Sequence, residues 1–279
     1  MAQWLLMAPI PIIGLVLYGG MILAAALGWY LRTRHAQPES DRAYAAEGYV
    51  VSAVTGLLAL LVGFTFALAI DRYETRRSLV LDESNAISTA YLRTQLLPAP
   101  HRARISELLA QYTANRDALA RQRMGTDQKR LLERSDTLVI DLWKATLAAF
   151  PTISSTDFSS AYLDSMNALM DMDSARQHSR RTHVPAEVFL LLLIYQIIAS
   201  GVLGFVMSAS RSRTTSALLL LLFGGSLILV IDIDRPDSGG IREDQSSMEQ
   251  VLTMIRDNPP QSFDNLPADS PDQRASPGN

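Results

Sequence analysis

Four stretches of the chain hold almost no charge: roughly 8–31, 49–70, 187–209 and 215–231. Each runs for about 17–24 residues, enough to cross a hydrocarbon core about 30 Å thick. No water is present there to satisfy backbone N–H and C=O groups, so each stretch must be helical. The pattern predicts a multi-pass membrane protein with four spans. The first stretch has no positive flank before it, its first charge being Arg32, and it reads as a span rather than a leader peptide despite the small cluster Ala24-Ala25-Ala26.

The polar pattern between the second and third stretches is helical too. No proline occurs between Gly56 and Leu97. Span two should therefore continue without a break into a charged segment until Pro98 and Pro100 stop it. Beyond Asp71 this extension would be roughly 40 Å long at 1.5 Å per residue. Tyr73, Val80, Ile87 and Thr94 recur every seven residues, with Ala90, Tyr91 and Leu97 beside them, as a buried stripe would. Arg72, Arg76 and Glu83 are assigned to another face. Three further amphipathic helices follow. The first places Ile105, Leu108, Leu109, Tyr112 and Leu119 on one side and ends at Gly125. The second starts at Thr126 and Asp127, aligns Leu131, Ser135, Leu138, Leu142, Thr146 and Ala149, and stops at Pro151. The third, capped by Ser155 or Thr156, aligns Phe158, Tyr162, Met166, Leu169 and Met170. Nothing alternates with period two, so no sheet is expected.

The expected fold is an all-α integral membrane protein: four transmembrane helices plus an antiparallel helical bundle inserted between spans two and three. In residue terms, 1–70 holds the first two spans, 71–184 the soluble bundle continuing span two, and 185–235 the last two spans. An acidic tail occupies 236–279, disordered from about 258, where prolines, serines and acids accumulate.

Composition narrows the function. There is no cysteine, which excludes disulfides and thiolate chemistry. The net charge of −3 does not suit a nucleic-acid binder. Arginines near span ends are more numerous on the bundle side (Arg72, Arg76, Arg77, Arg176, Arg180, Arg181, Arg235, Arg242) than in the short connections (Arg32, Arg34, Arg42, Arg211, Arg213). That balance favours a cytoplasmic bundle. Catalytic signatures are missing: no HExxH, GxSxG, Walker loop or GxGxxG occurs, and the spacing of His183 and Glu187 is interrupted by Pro185. The chain is therefore not expected to be an enzyme or to carry a cofactor or a metal.

Three constellations remain. Gly56, Ala59, Gly63 and Ala67 share one face of span two, either a packing face or the lining of a pore. Arg72, Arg76, Arg77, Glu83 and Asn85 form a charged collar beyond it: a solvated face, a lipid-headgroup contact, or a pore mouth that oligomer symmetry would turn into a ring. Asp232, Asp234 and Arg235 close span four, as a salt-bridged terminus or as a functional set at membrane depth. An acid of this last set is expected to lie close to an arginine of the collar.

The segment from Gly63-Phe64 through Asp71-Arg72-Tyr73, Arg76-Arg77, Glu83-Ser84-Asn85-Ala86-Ile87 and Tyr91-Leu92-Arg93 resembles the signature of bacterial bestrophin-like domain membrane proteins, a family of unassigned function. Asp232-Ile233-Asp234-Arg235-Pro236, with Gly239 or Gly240, Ile241 and Gln245, resembles a second family stretch. The chain departs from that pattern at Asp237, Ser238 and Ser247. The resemblance implies a relation to bestrophins, which are pentameric anion channels with a large cytoplasmic helical part. The functional expectation is an oligomeric, anion-preferring ion channel of the bacterial inner membrane, with span two lining the path. The alternative is a non-conducting scaffold or sensor whose bundle binds a cytoplasmic protein partner. The lipid bilayer and further copies of the chain are the expected partners.

Overall fold

The computed structural model describes residues 8–35, 41–122, 125–206, 210–236 and 239–264. Eight α-helices account for most of them: α1 (Ile10–His35), α2 (Asp41–Thr94), α3 (His101–Arg121), α4 (Thr126–Ala149), α5 (Phe158–Arg181), α6 (Ala186–Val206), α7 (Ser210–Ile233) and α8 (Ser246–Asp257). Short 3-10 turns cover Phe150–Thr152 and Pro260–Phe263. Among the described residues there is no strand. Four segments are long and apolar enough to cross a membrane, within Ile10–Arg34, Glu47–Thr94, Phe158–Val206 and Thr214–Ile233. The chain is a multi-pass, all-α membrane protein with a helical insertion between the second and third spans.

Its contacts form two compact units: Met1–Arg76 with Ser179–Glu243, and Arg77–His178 with Asp244–Asn279. The C-terminal segment thus belongs to the bundle unit.

In the membrane unit α1 packs along α6. Close approach is set by glycine: a Cβ on Gly28 would overlap the carbonyl of Gly201, and one on Gly204 the carbonyl of Ala25. Lipid tails are as apolar as leucine, so helices associate there through such close packing rather than through a hydrophobic driving force. Ile13, Leu17 and Met21 of α1, Phe189 and Leu192 of α6, and Leu227 and Val230 of α7 are buried between the helices. Gln196, fully buried on α6, extends its amide towards Met21 Sδ on α1 at 3.6 Å, the interhelical contact expected of a polar residue in a span.

In the bundle unit the predicted stripes are the buried ones. Val80, Ile87, Tyr91, Ile105, Leu109, Tyr112, Leu138, Leu142, Tyr162, Met166 and Leu169 are all shielded from solvent. The stripes of α2, α3 and α5 also carry charge on core positions. Glu83 of α2 is fully buried and forms ion pairs with Arg116 of α3, Nε to Oε1 at 2.8 Å, and with Arg176 Nη1 of α5. Tyr112 donates its hydroxyl to Glu83 at 2.6 Å, and Arg116 pairs with Asp173 of α5 at 3.0 Å. Two acids and two bases thus neutralise one another inside the helices. Burial, then the neighbouring Glu83 carboxylate, pushes the Tyr112 hydroxyl well above its ordinary pKa and keeps it a donor. The assignment of Glu83 to an outer face is therefore corrected. It lies on the same row as Val80 and Ile87, because steps of three and four return to one side of an α-helix.

The tail is corrected as well. Helix α8, which the tail's composition concealed, buries Met248, Val251 and Ile255. Residues Asn258–Asp264, expected to be disordered, are fixed to the bundle. Tyr91 donates to the Asn258 carbonyl at 2.6 Å, and Arg102 holds both carboxylate oxygens of Asp264 at 2.7 and 2.9 Å. The remainder of the predicted disordered tail lies outside the described residues.

These contacts give three stability predictions. Gly204→Ala forces α1 and α6 apart and should cost about 1–3 kcal/mol as an overpacking change. Gly19→Ala meets nothing within 4 Å and should leave the melting temperature in detergent unchanged. Glu83→Ala strands buried guanidinium charge and should cost about 3–5 kcal/mol. A Glu83→Ala protein melting at the wild-type temperature would show that the network is not fully buried.

Candidate functional site

Helix α2 presents two opposite sides. Leu58, Val62, Thr65 and Ala69 are buried against the membrane unit. At about 100° per residue, Gly56, Ala59, Gly63 and Ala67 fall on the other side, and all four are exposed. A Cβ built on Gly56 or Gly63 meets nothing within 4 Å. Among the described residues nothing packs on this face at Gly56 or Gly63. Phe64, 62% exposed, borders it.

The collar divides between these two sides instead of forming one band. Arg76 continues the buried row. Its Nε donates to Glu243 Oε1 at 2.6 Å and its Nη2 to the carbonyl of Ile233 at 2.8 Å. Arg72 is half-buried beside it, and its Nε is shielded from solvent without an acceptor. Glu83 is committed to the bundle core. Arg77 and Asn85 alone of the predicted collar lie on the exposed side. Glu74 is exposed there as well. The sequence reading missed Glu243 because it stands far along the chain, outside any helix.

The close of α7 is a junction of helix ends. Asp232 accepts the Gly240 N–H at 2.7 Å, and a Cβ on Gly239 would overlap the carbonyls of Asp232 and Arg235. Asp234 is buried and accepts the N–H of Val184, in the connection just before α6, at 3.1 Å. His183 Nδ1 lies 3.0 Å from the Asp234 carbonyl. Burial pushes the Asp234 carboxyl up, while the Val184 N–H, His183, Arg76 and Arg72 hold it down in that order, with burial prevailing. Arg235 is 2% exposed, and its Nη1 donates to the carbonyl of Ala8 just before α1 at 2.8 Å. The expected meeting of collar and terminus takes this form: Arg76 binds the Ile233 main chain, its ion pair goes to Glu243, and its charge reaches Asp234 through space.

His183 is thus engaged with the α7 turn. Among the described residues, no group of three or more His, Cys, Asp or Glu side chains could hold a metal ion. Asp232, Asp234, Arg76 and Arg235 of this junction each bind a main-chain atom, while Arg76 Nη1 and Arg235 Nε and Nη2 are buried without an acceptor among the described residues.

Solved structures share this architecture. A bacterial bestrophin homolog from Klebsiella pneumoniae superimposes with a TM-score of 0.61 at 16% identity, over 85% of this chain and 96% of that one. A point mutant of that homolog gives 0.61 at 17% identity, over 89% and 98%. At these identities the likeness shows the fold. No curated protein matches the chain. The sequence model of the bestrophin-like domain matches residues 19–247, from α1 through the α7 junction to the start of α8, and the chain belongs to that family.

Proposed function

We propose that the chain assembles with copies of itself into an ion channel of the bacterial inner membrane, with the exposed face of α2 lining the path and the bundle on the cytoplasmic side. The observation that carries this reading is the row Gly56, Ala59, Gly63 and Ala67. It lies opposite the buried side of its helix, is built of the smallest residues, and is open to whatever lies beside it. Gly and Ala keep a helix surface narrow. Placed around a symmetry axis, such a face leaves room for an ion where leucines would close it. Anion preference is part of the proposal. Arg77 supports it as the arginine on the exposed side beyond this row, which symmetry would repeat as a ring. Glu74, on the same side, opposes it.

Purified protein in planar bilayers tests the reading. The wild type should conduct. Gly63→Phe should abolish the current while leaving the protein folded and oligomeric, because the added ring has open space within the chain. An unchanged current in Gly63→Phe removes α2 from the path, and a folded oligomer silent at every voltage removes the channel. Selectivity is read from the reversal potential in a KCl gradient. Arg77→Gln should move it towards the potassium potential and Glu74→Gln towards the chloride potential. The opposite shifts would contradict the assigned roles.

A further inference from the structure

At the end of the membrane unit away from the α7 junction lies a groove that the channel reading does not use. The C-terminal half of α1, the first described turns of α2 and the C-terminal half of α6 bound about 540 Å³ of it. That is the size of a small-molecule site, about 300–1,000 Å³. Leu27, Leu31 and Phe205 form its apolar wall, and Gly28 and Gly201 its floor. The floor exists because the backbones of α1 and α6 touch at Gly28. Glu47 is the one charged residue among those lining the groove. It pairs with Arg32 at 2.7 Å, and the Arg32 guanidinium stands over the Phe205 ring at 5.4 Å.

Two features specify the occupant. The first is depth. The groove runs along apolar span segments and ends where the charges of α1 and α2 begin, next to Trp29 and Tyr30, residue types that mark the headgroup level. A cleft of this kind opens to acyl chains rather than to water. The second is charge. The Glu47 carboxylate is partly exposed at the mouth and spends one oxygen on the buried Arg32, so it can still accept from an ammonium.

We propose that this groove binds an aminophospholipid, with one acyl chain against Leu27, Leu31 and Phe205 and the ammonium at Glu47. The full chain, purified from cells in a mild detergent, should retain about one phosphatidylethanolamine per subunit by native mass spectrometry, as expected of an apolar groove of ligand size with a placed polar group. Val202→Trp fills the groove and should remove that lipid, whereas Leu218→Trp, on an exposed apolar face of α7, should not. In exchange experiments the wild type should take phosphatidylethanolamine over phosphatidylglycerol, and Glu47→Gln should lose that preference while still binding lipid. Equal lipid retention by wild type and Val202→Trp overturns the site. So does a Val202→Trp protein that keeps its lipid but changes oligomer size, which would give the groove to a second copy. A wild type without headgroup preference overturns the role of Glu47.

Discussion

One helix constrains this protein more than any other element. Along α2 the buried positions Leu58, Val62, Thr65, Ala69, Arg76, Val80, Glu83, Ile87, Ala90 and Thr94 fall at the steps of a straight α-helix. Within each unit the buried side keeps to one line of positions, and its chemistry changes, from Leu58 and Val62 to Arg76 in the membrane unit and through Val80, Glu83 and Ile87 in the bundle unit. Because the inward side is fixed, the outward side is fixed too. Gly56, Gly63 and Ala67 can only face away from the chain's own helices.

Buried charge is the consequence that each unit has to manage. A guanidinium or carboxylate taken out of water without a partner costs several kcal/mol, of order 3–5 when one member of a pair is removed. In the bundle unit Glu83 and Asp173 balance Arg116 and Arg176. In the membrane unit Arg76 is balanced by Glu243, and Arg235 rests on the Ala8 carbonyl with Asp232 and Asp234 near by. These groups serve to tie helix ends and helix faces that are distant in sequence. That explains why Arg76 and Glu83, which look like parts of a charged collar, are held in buried ion pairs.

The spans, the unbroken α2 and the apolar stripes of α3, α4 and α5 were legible because lipid and helix geometry leave one solution for each. The faces of the charged residues were misassigned because charge was taken as a sign of exposure. The better signal was present: Glu83, Arg116, Asp173 and Arg176 each occupy a position that the apolar period reserves for the core, and their charges cancel. Helix α8 was hidden by the polar tail around it, although Met248, Val251 and Ile255 already show helical spacing. Glu243 could not be found, since a loop acid carries no periodic mark. The small-residue row was found from spacing alone. Its openness within the chain required the structure, because sequence does not say which side of a span has neighbours.

The most direct test uses the absence of native cysteine. Single substitutions Gly63→Cys, Ala67→Cys and Leu58→Cys give unique thiols, which are exposed to charged methanethiosulfonate reagents during bilayer recording. Gly63→Cys and Ala67→Cys should react from the aqueous phase and lose current, while Leu58→Cys should not react. Unreactive thiols at Gly63 and Ala67 in a conducting protein, accessible only to membrane-permeant reagents, would place that face in lipid and contradict it.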